Sequence, residues 1–191
     1  GEPIEYYEDP IQQKGYKPQH DTRDPKVRER LLGLAGAPPG PDVPNTWQLG
    51  VVCTSFCDHQ LKNGGSRTWQ RPQGDGTRPS EVQGNEDAEF AAELCTVLAD
   101  NGRLFALESS APSGRYPKIW DLPCMQRLRR RTGAKIVSMA MCAWGLGPPG
   151  TEEGLFHRKH SWWLVSPELY PWALLFLGRQ CPGVGPTHQH A

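Results

Sequence analysis

The chain has 191 residues, a length typical of one domain, and its 21 basic and 21 acidic side chains give a formal net charge of zero. A zero net charge excludes attraction of the whole molecule to nucleic acid or to an anionic membrane, so any such binding needs a local patch. The 21 Gly and 19 Pro, with only 37% hydrophobic residues, indicate long irregular loops between compact elements.

Neither end of the chain carries the apolar stretch of a signal peptide, and the longest apolar run, 172–177, is too short to span a bilayer. The six cysteines are dispersed, whereas a secreted disulfide scaffold is shorter and denser in cysteine. These features predict a soluble intracellular protein, nuclear or cytoplasmic, with no membrane partner. They leave the oligomeric state open.

Hydrophobic periodicity and turn residues predict strands and helices that largely alternate. In chain order they are a strand at 4–8, a helix at 24–36, a strand at 47–53, a helix at 85–101, a strand at 104–107, a helix at 121–131, a strand at 135–141, a strand at 161–165 and a helix at 166–178.

Cap residues support several of these boundaries. Asp24 before Pro25 is typical of a helix start, with Asp as the cap and Pro in the first turn, and Gly36 ends that helix. Asp121 is expected to cap the third helix in the same way. The polar segment 54–84 is long for a loop inside a compact domain, and loops of that length are usually functional or disordered.

The alternation predicts one α/β domain over residues 1–180, with a mainly parallel sheet and helices on both faces, followed by an irregular tail at 181–191. In such sheets the chemistry lies just past the carboxyl ends of the strands. Four places follow predicted strand ends, namely Glu8-Asp9 and the segments 53–68, 108–115 and 142–146, and the second and third begin with Cys53 and Glu108.

A glycine turn in the long loop is the most specific local feature besides its cysteines. Successive backbone amides in Asn63-Gly64-Gly65 favour an anion-binding nest, and Arg67 just after it is suited to clamp a phosphate or a carboxylate. The alternative is a plain turn in which Arg67 pairs with a neighbouring acid.

Three segments carry a family resemblance. The run Val52-Cys53-Thr-Ser-Phe56-Cys57, followed by Arg67, resembles the cytosine-5 DNA methyltransferase loop, which has Pro-Cys-Gln-x-Phe-Ser at a strand end. Phe105-Ala-Leu-Glu108-Ser-Ser is similar to the family's next strand, which ends in Glu-Asn-Val. Residues 139–146 and 161–165 are similar to its last two strands. A looser similarity is to methyltransferase-like segments of retroelement polyproteins.

The resemblance implies a Rossmann-like class I methyltransferase sheet and a site for S-adenosylmethionine. Cys53 would attack the cytosine ring as a thiolate, Glu108 would hold a ring nitrogen, and Arg67 would clamp a phosphate or the ring. Glu8 or Asp9 would bind the cofactor ribose. The family's first strand and its glycine-rich loop would lie before Gly1, so the fold is expected to be N-terminally incomplete. The implied partner is DNA or RNA, with the target base single-stranded or flipped out.

Other interpretations of these residues stay open. The same fold is compatible with a catalytically inactive relic or an interaction module within a larger mobile-element polypeptide. A zinc-binding module built on Cys57, Asp58 and His59 is a remote alternative, because one Cys-x-x-x-Cys pair is a weak signal. Cys53 is alternatively a buried strand-end thiol, and Glu108 a cap or ion-pair partner. The basic run 127–131 is either a solvated helix face or a phosphate-binding patch.

Overall fold

The computed structural model describes residues 21–41, 43–145, 155–156, 159–185 and 189–190. The strand predicted at 4–8, with Glu8 and Asp9, lies outside them. The described helices and strands are α1 (Pro25–Gly36), β1 (Thr46–Gly50), α2 (Pro79–Asp100), β2 (Leu104–Ser110), α3 (Pro123–Thr132), β3 (Lys135–Ala140), β4 (Leu155–Phe156), β5 (His160–Val165), α4 (Tyr170–Leu177) and β6 (Gln189–His190).

The main sheet has four strands in the order β1-β2-β5-β3. β1 and β2 are parallel, but β5 is antiparallel to both of its neighbours, β2 and β3. The prediction of a mainly parallel, Rossmann-like methyltransferase sheet is therefore wrong, because two of the three strand pairings are antiparallel. The described part of the chain is a small α/β protein with a mixed sheet.

The direction of β5 is consistent with the predicted order of the strands. A parallel pairing needs a crossover connection, usually a helix, whereas antiparallel strands need none. The predicted order already placed two strands in succession at this point, and the strand that follows β3 in the main sheet returns beside it in the opposite direction. Because β5 is antiparallel to both β2 and β3, strands β1, β2 and β3 share one direction.

Local capping predicted some helices well and others poorly. The start of α1 is confirmed, since the Asp24 carboxylate accepts a 2.8 Å hydrogen bond from the backbone N–H of Lys26. α3 begins instead at Pro123, and Asp121 accepts a hydrogen bond from the backbone of Lys118 in the preceding 3₁₀ turn. α2 begins at Pro79, six residues before the predicted start at 85, so part of the predicted loop is helical.

Apolar side chains are buried on both faces of the sheet. On one face, Phe105, Leu107 and Leu164 join a core with buried side chains of α1, α2 and α3. On the opposite face lie buried Val137 and Met139 of β3, the strand against which α4 packs. None of the helices within the described ranges is long and apolar enough to cross a membrane.

Truncation of a sheet residue at the centre of the core tests this arrangement. Leu107 is fully buried, so Leu107→Ala should lower the free energy of unfolding in urea by about 2 to 5 kcal/mol, because it removes apolar contacts and leaves a cavity. Leu175→Ala on α4 is the control, because that side chain is 68% exposed and its loss should change stability by less than about 0.5 kcal/mol. Equal effects of the two changes would contradict the assignment of the core.

Candidate functional site

Cys53 lies just past the end of β1, where the chain enters the 3₁₀ turn Thr54–Phe56. The Cys53 carbonyl accepts a 2.9 Å hydrogen bond from the backbone N–H of Phe56, which closes the turn. The Phe56 side chain is fully buried, whereas Cys53 is half-buried. The fold therefore holds the Cys53 backbone in place and leaves its side chain within reach of solvent.

Glu108 lies on β2 between two neighbouring strands. It pairs with Gly50 of β1 and with Trp163 of β5, and its carbonyl accepts a 3.3 Å hydrogen bond from the backbone N–H of Val51. Its Oε1 atom is buried and has no hydrogen-bond partner. A Cβ added at Gly50 would meet no atom within 4 Å, so the position beside Glu108 on β1 is open. Cys53 and Glu108 thus belong to the same end of two adjacent parallel strands.

Arg67 was predicted to clamp a phosphate or the ring, but its side chain is buried and bonded within the protein. Its side chain is only 3% exposed, and its five N–H groups make five hydrogen bonds within the protein. The acceptors are the Ser55 carbonyl and hydroxyl, the Pro72 carbonyl, the Asn85 side-chain oxygen and the Glu81 carbonyl. In this arrangement no N–H of Arg67 remains for a substrate phosphate.

The role of Arg67 is to position the turn that carries Cys53. Its guanidinium lies 3.9 Å from the ring centroid of Phe56 and hydrogen-bonds Ser55, both of them residues of the turn. Burial lowers the pKa of the guanidinium, and the charge of Glu81 opposes that shift. Arg67 thereby joins the turn after β1 to the first turns of α2.

Glu81 is a buried charge that sequence reasoning did not single out. Its carboxylate accepts hydrogen bonds from the backbone N–H and hydroxyl of Ser66, the backbone bond measuring 2.8 Å, and from the Tyr116 hydroxyl at 3.2 Å. Burial, together with the Glu81 charge, raises the pKa of Tyr116. The only sequence signal was a Pro-Ser-Glu run at a helix start, which is too common to mark a buried acid.

Gly84 allows the turn to approach α2 closely. A Cβ at this position would lie 2.3 Å from the Ser55 hydroxyl oxygen and 3.1 Å from the Phe56 ring. Such distances are incompatible with the observed packing, so a residue other than glycine would displace the turn that carries Cys53.

A second tether joins the two loops that follow β1 and β2. Asp58 accepts a 2.5 Å hydrogen bond from the Lys118 ammonium and a 2.7 Å bond from the Ser113 hydroxyl. The Lys118 side chain is only 4% exposed and that of Asp58 is 33% exposed. The pair therefore fixes the loop after Cys53 against the loop after Glu108.

The remaining cysteine and histidine candidates do not form a metal site in the described residues. The Cys57 thiol donates to the Thr54 carbonyl at 3.1 Å, and Asp58 is occupied by Lys118. In the ranges that the structure covers, no group of three or more His, Cys, Asp or Glu side chains is placed to hold a metal ion.

The basic run 127–131 lies just before the start of a strand, whereas Cys53 and Glu108 lie near strand ends. It occupies the last turns of α3, just before β3 begins, and β3 runs in the same direction as β1 and β2. The run therefore lies at the amino-terminal ends of these parallel-running strands, and the candidate site lies at their carboxyl-terminal ends. Arg131 pairs with Asp100 at 2.6 Å, and cations at a helix C-terminus complement its dipole.

The chain matches no family model, no curated protein and no solved structure.

The Arg67 contacts predict a large difference between two conservative changes in the same loop. Arg67→Lys should lower the free energy of unfolding by about 2 to 4 kcal/mol, because an ammonium cannot satisfy the acceptors that the planar guanidinium holds. Arg71→Lys is the control, since Arg71 is exposed and its change should cost less than about 0.5 kcal/mol. Urea unfolding measures both, and similar stabilities would contradict the role given to Arg67.

The Asp58 tether predicts a pH-dependent contribution to stability. Burial tends to raise the pKa of Asp58, but the hydrogen bonds from Lys118 and Ser113 and the nearby positive charges outweigh it, so that the pKa lies below its ordinary value of 3.8. A carboxyl with a lowered pKa in the folded state stabilises the fold above its unfolded pKa. That contribution is lost as the pH falls through the folded pKa.

Asp58→Asn should therefore destabilise the protein by about 1 to 3 kcal/mol at neutral pH, because it leaves the buried Lys118 ammonium without an opposing charge. The difference from the wild type should shrink as the pH falls below about 4, as urea unfolding across a pH series would show. Glu89→Gln, at an exposed position of α2, is the control and should have little effect. A difference that does not vary with pH would contradict the tether.

Proposed function

We propose that the adjacent ends of β1 and β2 form the acceptor site of a divergent cytosine-5-type methyltransferase. What supports the proposal is the placement of Cys53 and Glu108 at the same end of neighbouring parallel strands, with Glu108 Oε1 buried and unpartnered beside the open position at Gly50. The short motifs around Cys53 and Glu108 resemble those of that family, and the implied partner is single-stranded or locally unpaired DNA or RNA.

The reaction requires a thiol that is both reachable and held in place. The Cys53 thiolate adds to C6 of the cytosine ring, and the displaced electron pair makes C5 nucleophilic. Glu108 binds the ring nitrogen through a hydrogen bond, for which one of the two groups carries the proton. C5 then takes up an electrophile and gives its own proton to solvent, and the C6–sulfur bond breaks to release the Cys53 thiolate and restore the ring. Arg67 acts as a positioning residue, through the turn that carries Cys53.

S-adenosylmethionine is the methyl donor that this proposal implies. The residues predicted to bind its ribose, Glu8 and Asp9, lie outside the described residues. Within the described ranges, no glycine-rich turn directly joins a strand to a helix, so these residues do not fit the cofactor. The proposal therefore concerns the half of the site that binds and activates the acceptor ring.

An experiment on this half does not need the methyl donor. In D₂O, reversible addition of Cys53 to a single-stranded cytosine oligonucleotide should exchange the C5 hydrogen for deuterium, which mass spectrometry detects. Cys53→Ser should abolish the exchange, because the hydroxyl is a far weaker nucleophile than the thiolate. Cys57→Ser is the matched control, since that thiol lies in the same segment and donates to the Thr54 carbonyl, and it should keep exchanging.

Two results would overturn the proposal. One is a folded wild-type protein that exchanges no cytosine hydrogen, which would leave the catalytically inactive interaction module as the better account. The other is exchange that persists at the wild-type rate in Cys53→Ser. If this second result is accompanied by loss of exchange in Cys57→Ser, Cys57 and not Cys53 is the nucleophile.

A further inference from the structure

Unpartnered buried polar atoms gather on two neighbouring strands. Among the described residues, six buried side-chain nitrogen or oxygen atoms have no hydrogen-bond partner, and five of them belong to Glu108, Ser109, Ser110, Ser161 and Trp163. Buried polar groups in proteins are nearly always hydrogen-bonded, so a concentration at adjacent positions needs an explanation. The remaining atom, Arg103 Nε, belongs to a side chain whose other nitrogens bind the Leu34 and Ala37 carbonyls.

Four of these five side chains share one face of the sheet. Glu108 lies opposite Trp163, and Ser110 lies opposite Ser161. Side chains directly opposite on antiparallel strands point to the same face, with their Cβ atoms about 4.5 to 5.5 Å apart. Alternation along β2 places Ser109 on the other face, beside Trp162 and the helix-covered core. We call Glu108, Ser110, Ser161 and Trp163 the polar cradle.

The cradle has a closed side and an open side. On β3, buried Val137 lies opposite Trp163 and buried Met139 lies opposite Ser161, so this side is apolar and covered. On β1, Gly50 lies opposite Glu108 and has no side chain. A Cβ added at Gly50 would meet no atom within 4 Å, so this side of the cradle is open. Ser161 is itself fully buried with an unpartnered hydroxyl. A ligand that approaches from the β1 side would contact Glu108 on β2 first and then Trp163 on β5.

The hydrogen-bonding groups of the cradle define the ligand. An ionised Glu108 only accepts, the Trp163 indole only donates, and the two hydroxyls do both. The complementary molecule carries an amino donor and a carbonyl acceptor on one edge. Cytosine has that edge, with its amino group at one end and its ring carbonyl at the other.

We propose that the polar cradle recognises the hydrogen-bonding edge of the cytosine ring, with the Glu108 carboxylate accepting from the amino group, Trp163 donating to the ring carbonyl, and the Ser110 and Ser161 hydroxyls making the remaining hydrogen bonds. This inference rests on the function proposed above and adds Ser110, Ser161 and Trp163 as specificity-determining residues. It also explains why these atoms lack partners inside the protein, since the ligand supplies them.

Binding can be measured separately from the chemistry. The full chain carrying Cys53→Ser is titrated by calorimetry with cytidine, with uridine, which lacks the amino donor, and with ribose, which lacks the ring. Cytidine should bind more tightly than uridine, and ribose should give no binding. Ser161→Ala and Trp163→Phe should each weaken cytidine binding about 3- to 10-fold, the usual effect of losing one hydrogen bond.

Ser109→Ala is the matched control, because it removes an equally buried and unpartnered hydroxyl from the opposite face of the same strand. It should leave cytidine binding unchanged. Thermal unfolding checks that each variant is folded, and removal of an unpartnered buried hydroxyl should not lower the melting temperature.

Each outcome decides the inference. Absence of cytidine binding by the folded protein at millimolar concentration overturns it, as does binding that Ser161→Ala and Trp163→Phe leave intact. Cytidine binding through the cradle without any C5 exchange by the wild type supports the cradle and removes the proposed chemistry. Exchange that depends on Cys53 but not on the cradle residues supports the chemistry and removes the cradle.

Discussion

The arrangement of the candidate site depends on the burial of one arginine. The Arg67 guanidinium occupies a place where its five N–H groups meet acceptors from the turn after β1, from the loop at residue 72 and from α2. A buried cation without such partners would cost several kcal/mol, so this set of contacts has to form together. The buried Arg67 side chain therefore fixes the position of the Cys53 turn relative to α2.

Other features of this region follow from that constraint. Gly84 has no side chain because the Ser55 hydroxyl and the Phe56 ring occupy the space that a Cβ would need. Glu81 places a negative charge near the guanidinium and also binds Ser66 and Tyr116, so the long loop is tied to the loop after β2. Asp58 and Lys118 add a second connection between the same two loops. A segment rich in turn residues is thereby held in a defined conformation.

The contrast between Arg67 and the polar cradle is informative about function. In one part of the molecule every N–H of a buried cation is satisfied, whereas on the sheet face the Glu108, Ser161 and Trp163 side chains bury polar atoms without partners. Folding alone favours the first arrangement and penalises the second. Sites that break local rules without compensation are the ones expected to serve binding or catalysis.

Sequence patterns predicted those parts of the fold and of the site that depend on near neighbours in the chain. The cap at Asp24, the strand that leads to Cys53 and the strand that contains Glu108 were all located, because capping and apolar runs involve residues a few positions apart. The same patterns missed the true start of α2 at Pro79, since its first turns are stabilised by contacts of Glu81 and Gly84 with a loop about fifteen to thirty residues away.

The sequence by itself therefore located the segments that form β1 and β2, although β1 ends at Gly50 and Glu108 lies within β2 rather than after it. It also suggested the chemistry that a cysteine and a glutamate near those strand ends can perform. Only the tertiary structure decided the direction of β5, the internal partners of Arg67 and the gathering of unpartnered polar atoms around Glu108. Each of these depends on residues that are distant in the chain, and no local spacing encodes which of them will meet. The pairing of β2 with β5 brings Trp163 and Ser161 beside Glu108 and Ser110, and that single pairing creates the proposed recognition surface.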